Sequence, residues 1–178
     1  MTEQLLCTED GIRRVQAALA ELELDAWLLY EFRGANPISK SLLGVGKTTR
    51  RGFFLVPREG EPVALIHAIE GSAWRHWPWE RRSYSGWREM EEGLDALLED
   101  GQRLAMELSP GAAVPTLDYV PAGLTEVLLR SGVELTSSGD LISRCHAVWS
   151  GQQLQAQKEA AEHIRQVAGR AVRRAADA

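Results

Sequence analysis

The sequence predicts an α/β domain, and three observations predict it. Segments with helically spaced apolar residues alternate with short apolar runs of strand length. Two of those runs, Ala26-Trp27-Leu28-Leu29-Tyr30 and Gly52-Phe53-Phe54-Leu55-Val56, are continuous, which suits a sheet covered on both faces. The second run leads through Pro57-Arg58-Glu59-Gly60-Glu61-Pro62, strong turn chemistry, into Val63 to Ile66, which reads as its hairpin partner.

The elements follow in order. Thr8 is an N-cap candidate, with Cys7 and Ile12 placed for a hydrophobic staple. Ile12, Val15, Leu19 and Leu22 repeat at helical spacing. Asp25 breaks that pattern before the first strand. Asn36-Pro37 opens a helix through Leu43, since proline suits the first helical turn, and Gly44 and Gly46 end it. After the hairpin, Glu70 to Trp77 is expected as a short helix, Arg82 to Tyr84 as a strand and Trp87 to Leu98 as a helix. Arg103 to Leu108 reads as a strand closed by Pro110-Gly111. Pro121 to Arg130 reads as a helix ended by Gly132, Val133 to Leu135 as a strand, and Asp140 to His146 as a helical turn or two. From Gly151 the chain reads as one helix, about 39 Å long if it reaches Ala176. Its stripe of Leu154, Ala161, Ile164, Val167, Ala168, Ala171, Val172 and Ala175 runs to the end of the sequence and calls for a partner.

Composition sets the outer bounds. At 178 residues, 44% hydrophobic and 25% charged, the chain has the makings of one globular core and a tail. A net charge of -5 argues against a general binder of nucleic acid or acidic membranes, which would carry a basic excess. Cys7 and Cys145 form no zinc or disulfide pattern, and Met1-Thr2-Glu3-Gln4, with no basic region or long apolar run after it, leads us to expect no secretory signal. No apolar stretch reaches the ~18 residues of a spanning helix. The expected location is the cytoplasm, with no membrane and no nucleic-acid partner.

Several strings invite a chemical reading. Gly44-Val45-Gly46-Lys47-Thr48-Thr49 looks like the end of a phosphate-binding loop, but Ser41 stands where its first glycine belongs. Such a loop leaves a strand and opens a helix, so that helical N–H groups face the phosphates. Here a helix precedes and a strand follows, and a flexible basic loop is the better reading. His67, His76, His146 and His163 provide no converging ligand set, so no metal site is expected in this chain. There is no Gly-x-Ser-x-Gly elbow, and the carboxylates interleave with arginines as on solvated surfaces. No catalytic residue is assigned. Four of the six tryptophans, Trp74, Trp77, Trp79 and Trp87, fall in one short stretch with Arg75, His76, Arg81 and Arg82. They fit a core or the rim of an interface or pocket equally well.

The order of these pieces resembles the N-terminal domain of the creatinase/prolidase/Xaa-Pro aminopeptidase family. Ile12 to Leu19 leading through Leu24-Asp25-Ala26 into Trp27-Leu28-Leu29 is similar to the family's start. Arg51 to Pro57 with Gly60-Glu61-Pro62-Val63 resembles its central hairpin. Asp140 to Arg144, Ala147 to Ser150 and Glu159-Ala160-Ala161 resemble its exit into a connecting helix. Glu31-Phe32-Arg33-Gly34 with Asn36-Pro37 looks like a metallopeptidase subgroup. Trp149 and Gly151-Gln152-Gln153 depart from the lysine and Pro-Glu-Glu-like helix start of many relatives.

The resemblance implies a three-layer α/β/α domain with a mixed sheet and a ribonuclease-H-like motif over 1–149, then a connecting helix over 150–178. It implies a separate C-terminal "pita-bread" catalytic domain holding two divalent metal ions, manganese, cobalt or zinc. None of those ligands can be assigned to this chain. The expected role is that of a non-catalytic domain of an Xaa-Pro aminopeptidase or dipeptidase, a metallopeptidase hydrolase. It would gate short peptides and support a homodimer or higher homo-oligomer, with Trp74, Trp77, Trp79 and Arg33 at the substrate border or interface. The alternative is a stand-alone peptide- or protein-binding module of the same fold.

Overall fold

The computed structural model describes residues 4–177. Its centre is strand β1, Ala26–Glu31, buried along its whole length. Around it lie β2 (Gly52–Pro57), β3 (Val63–His67), β4 (Glu80–Tyr84), β5 (Arg103–Met106) and β6 (Glu134–Ser137), in the order β4-β3-β2-β1-β5-β6. β1 and β3 flank β2 antiparallel, with Leu28 opposite Leu55 and Phe54 opposite Ala64. β5 runs parallel to β1, β6 to β5 and β4 to β3. The sheet is mixed, as expected.

Period-two geometry splits the apolar runs between the two faces. Trp27, Leu29, Phe54 and Val56 face one core, with helices α1 (Glu9–Glu21), α2 (Pro37–Leu43) and α5 (Gly139–Cys145) supplying Ile12, Val15, Leu19, Leu42 and Leu141. Leu28, Phe53, Leu55 and Leu104 face the other, against Met90 and Leu94 of α3 (Trp87–Asp95) and Leu124 and Leu128 of α4 (Ala122–Arg130). This is the three-layer α/β/α arrangement. Each large apolar side chain fully buried this way contributes about 1.5–3 kcal/mol. The outer strand β4 exposes Glu80, Arg81 and Arg82, charges that discourage pairing with another edge.

The local signals perform as written. The Thr8 hydroxyl accepts from Gly11 N–H at the head of α1. Asn36 caps α2 with Pro37 in its first turn, and Gly44 ends it in the left-handed region, φ 59°. One expected helix is absent. Ala68–Glu70 is a single 3-10 turn followed by further turns, with Ala73 N–H donating to Glu70 O and Trp77 N–H to Trp74 O. Those three-residue closures replace the four-residue bonds of an α-helix.

The chain divides into two compact units, Met1–His146 and Ala147–Ala178. The second contains α6, Gly151–Ala176, opened by a capping box between Ser150 and Gln153. Leu154, Ile164, Val167 and Val172 along it are exposed. No helix among the described residues is long and apolar enough to cross a membrane.

Candidate functional site

The polar chemistry of the first unit collects where β1 ends, α2 begins and the loop between α2 and β2 returns. Asn36 lies at the junction, almost fully buried. Its Oδ1 accepts from the Ile38 and Ser39 N–H groups, both at 3.1 Å, and its Nδ2 donates to Tyr30 O at 3.0 Å and to Glu107 Oε2 at 2.9 Å. Glu107, just beyond β5, is completely buried and also accepts from Trp27 Nε1 at 2.8 Å and Ser138 Oγ at 3.0 Å. Burial pushes its carboxyl above the usual carboxylate range, and the three side-chain donors pull back against that.

Glu31 closes the turn that follows β1. One carboxylate oxygen accepts from Gly34 N–H, and the other accepts from the buried Ser39 hydroxyl at 3.4 Å. Arg33, inside this turn, has a positive φ of 60°, unusual for a side chain with a Cβ. Its guanidinium carbon lies 5.2 Å from the centre of the Phe32 ring. The returning loop is tied down by Glu70, which accepts from Thr49 N–H and Thr49 Oγ1, both at 2.7 Å, and from Arg50 N–H at 3.0 Å. Burial acts to raise the Glu70 carboxyl, but these donors and the Arg50 charge outweigh it and hold the group below its ordinary range.

A cavity of about 210 Å³ opens between these segments. Arg33, Lys40 and Lys47 line it together with Glu31, and Leu43 and Val45 supply apolar wall. The order of elements around Lys47 is helix, loop, strand, as read from the sequence, the reverse of a phosphate-binding loop. The arrangement offers binding groups; the hydroxyl–carboxylate pair of the cavity lining, Ser39 with Glu31 at 3.4 Å, is long for an O–H···O bond. Burial pushes the Cys7 and Cys145 thiols up, which keeps them protonated and poorly reactive.

The four residues singled out in the sequence do not come together. Arg33 lines the cavity and is exposed. Trp74 and Trp77 instead fill the core on the α1 side, at 2% and 5% exposure. Trp74 stacks on Phe54 with ring centres 4.3 Å apart, and Trp77 meets the same ring edge-on at 5.8 Å. In this unit neither indole has a free face for a peptide, and their place is a core place. The reason is β2: Phe54 points to this face of the sheet and needs aromatic cover. Trp79 is half-buried, donating from Nε1 to Leu6 O at 2.8 Å, whereas Trp87 stands out at 63% exposure.

The sequence gives no functional role to Lys40 or Glu107, and names Glu31 and Asn36 only within a motif, not as hydrogen-bonding centres. One signal for Glu107 was legible: a lone acid following the apolar Leu104-Ala105-Met106 of a strand. Among the described residues no group of three or more His, Cys, Asp or Glu side chains could hold a metal ion. Glu31, Glu70 and Glu107 are each committed to amide, hydroxyl or indole donors. The described residues therefore do not fit the two-metal centre that the resemblance implies for a separate domain.

No protein-family model matches the sequence, and no curated protein matches it. Solved structures do match in shape. A prolidase from Pyrococcus horikoshii superposes with a TM-score of 0.59 at 18% identity, over 81% of this chain and 37% of that one. A dipeptidase from Mycobacterium ulcerans gives 0.64 at 16%, over 89% and 42%. The creatinase/prolidase N-terminal domain of an X-Pro dipeptidase from Streptococcus pyogenes gives 0.61 at 12%, over 76% and 98%. The chain thus spans about two fifths of that prolidase and that dipeptidase, and nearly all of the isolated domain. Its class is that of the α/β domains with a six-stranded mixed sheet. Within that class, its fold is the creatinase/prolidase N-terminal domain fold.

Proposed function

We propose that this chain is the non-catalytic N-terminal domain of an Xaa-Pro aminopeptidase or dipeptidase, working with a metal-bearing C-terminal catalytic domain. In that role it limits the access of short peptides to the metal centre and supports assembly into a homo-oligomer in the cytoplasm. The observation that carries the reading is the superposition on an isolated creatinase/prolidase N-terminal domain over 98% of that domain. The apolar stripe of α6 is consistent with a connector that packs against the following domain.

The test is hydrolysis of Xaa-Pro dipeptides and tripeptides with manganese or cobalt, by the complete gene product and by the 178-residue chain alone. Activity of the complete product and none of this chain is the expected outcome. Turnover that follows the 178-residue chain through further purification overturns the reading. So does a complete gene product that carries no catalytic domain. A second reading, a stand-alone binding module, is favoured by the cavity at Arg33, which has the groups to hold a ligand without acting on it.

A further inference from the structure

The described lining of the cavity carries more charge than its own ion pairs use. Arg33, Lys40 and Lys47 bring three positive charges to its lining, and Glu31 returns one negative charge, leaving a surplus of two. Among the described residues, none of the three cations lies within ion-pair distance of a carboxylate. Elsewhere arginines do find acids, as Arg58 finds Asp25 at 3.1 Å. Like charges gathered around one concave space repel, and a bound anion relieves that repulsion.

The three cations are held there by separate devices. The Glu31-to-Gly34 hydrogen bond and the left-handed backbone at Arg33 set the first, and the Phe32 ring restrains its arm without neutralising it. Lys40 is carried by α2, which Asn36 anchors to the core. Lys47 lies on the loop that Gly44 starts and that Glu70 fastens through Thr49 and Arg50. Leu43 and Val45 are buried apolar wall beside them. Strained backbone held in place by its surroundings is a frequent mark of a binding site.

The geometry points to a binding site for a small phosphate monoester with an apolar body. A phosphate monoester brings about −1.5 to −2 charge near pH 7, matching the surplus, and three acceptor oxygens for lysine and arginine donors. A carboxylate brings half the charge. The ester's carbon portion meets Leu43 and Val45. At about 210 Å³ the space is below the ~300 Å³ at which pockets for drug-sized ligands begin, which favours a small ester over a nucleoside triphosphate. The site is independent of the peptidase reading, since it uses only residues of this unit.

Titration of the isotope-labelled 178-residue chain with phenyl phosphate, inorganic phosphate, benzoate and ATP, followed at backbone amides, tests the assignment. Phenyl phosphate should produce saturable shifts at Gly34, Gly46 and Lys47. Inorganic phosphate and benzoate should each bind about tenfold more weakly, the first lacking the apolar contact and the second one charge. Arg33→Ala and Lys47→Ala should each weaken phenyl phosphate about tenfold, the usual size of a lost charged hydrogen bond, with amide spectra otherwise unchanged. Lys158→Ala on α6 should change nothing. Absence of saturation below ~20 mM overturns the proposal, as does unchanged affinity in both Arg33→Ala and Lys47→Ala. Benzoate binding as tightly as phenyl phosphate overturns the dianion assignment. Inorganic phosphate binding as tightly overturns the organic ester in favour of free phosphate. ATP binding as tightly overturns the preference for a small ester.

Discussion

Asn36 and Glu107, 71 positions apart in sequence, meet side chain to side chain at 2.9 Å inside the core. The contact joins the start of α2 to the end of β5, and Trp27 and Ser138 complete the ring of donors around the Glu107 carboxylate. A carboxylate this buried is stable only while its acceptor sites are filled. Asn36→Ala removes one donor and the cap of α2 together. It should cost about 2–4 kcal/mol, read by urea denaturation at pH 7. A loss under half a unit of that scale would mean that the ring contributes little.

Glu107 also predicts a pH dependence with a definite sign. Its folded-state carboxyl sits above its unfolded value, so the folded state holds the proton more tightly. That contribution is full below the ordinary carboxyl range near ~4.3 and is lost as pH rises through the higher folded value. Glu107→Gln removes the titration. The stability difference between wild type and Glu107→Gln, measured from pH 4 to pH 8, should move against the wild type as pH rises. A difference that is flat across that range would show that burial does not raise this group.

Glu70 works in the opposite direction. Its folded carboxyl is below the unfolded value, so its contribution is present above the ordinary carboxyl range and fades as pH falls through the lower folded value. Glu70→Ala leaves the Thr49 and Arg50 amides without their acceptor and should destabilise by about 1–3 kcal/mol at pH 7, an effect that shrinks as pH falls below the ordinary carboxyl range. Amide exchange in residues 45–50 should rise in the variant. Unchanged exchange there would remove Glu70 as the fastener of the loop.

The tryptophan stretch should divide by burial. Trp74→Ala and Trp77→Ala should each cost about 3–5 kcal/mol, as truncation of a packed aromatic does. Trp79→Ala, which loses a half-buried ring and one indole hydrogen bond, should cost less, and Trp87→Ala should leave stability within about 0.5 kcal/mol. Chemical denaturation of the four variants gives the ranking. A stable Trp74→Ala or Trp77→Ala variant with altered assembly would return those side chains to an interface role.

The second half of α6 should exchange its amides rapidly in a monomer. Ile164, Val167 and Val172 are exposed, and a helix is held mainly by packing of its apolar face. Hydrogen exchange at Ile164 to Arg174, in a sample shown by scattering to be monomeric, makes the measurement. Strong protection there would argue that the helix needs no partner.

Local chemistry alone determined most of the elements and several of their ends. Thr8, Asn36-Pro37, Gly44 and Gly132 act on neighbours within a few residues, and continuous apolar runs force a sheet covered on both sides. The order of these pieces was enough to point to the creatinase/prolidase N-terminal fold. The Glu70 to Trp77 segment was misread as a helix because apolar spacing cannot distinguish a helical turn from a string of tight turns. Its path is decided by where Trp74 and Trp77 must sit against Phe54. The functional candidates were decided by the tertiary structure. Glu107 reaches Trp27 across 80 positions and Ser138 across 31, and no local pattern encodes such meetings. Likewise, the sequence offers Arg33 as a border residue and Lys47 as part of a basic loop, gives Lys40 no signal, and joins the three by no pattern. Only the return of the chain from α2 toward β2 makes them three charges around one cavity, where their repulsion gives an anion a reason to bind.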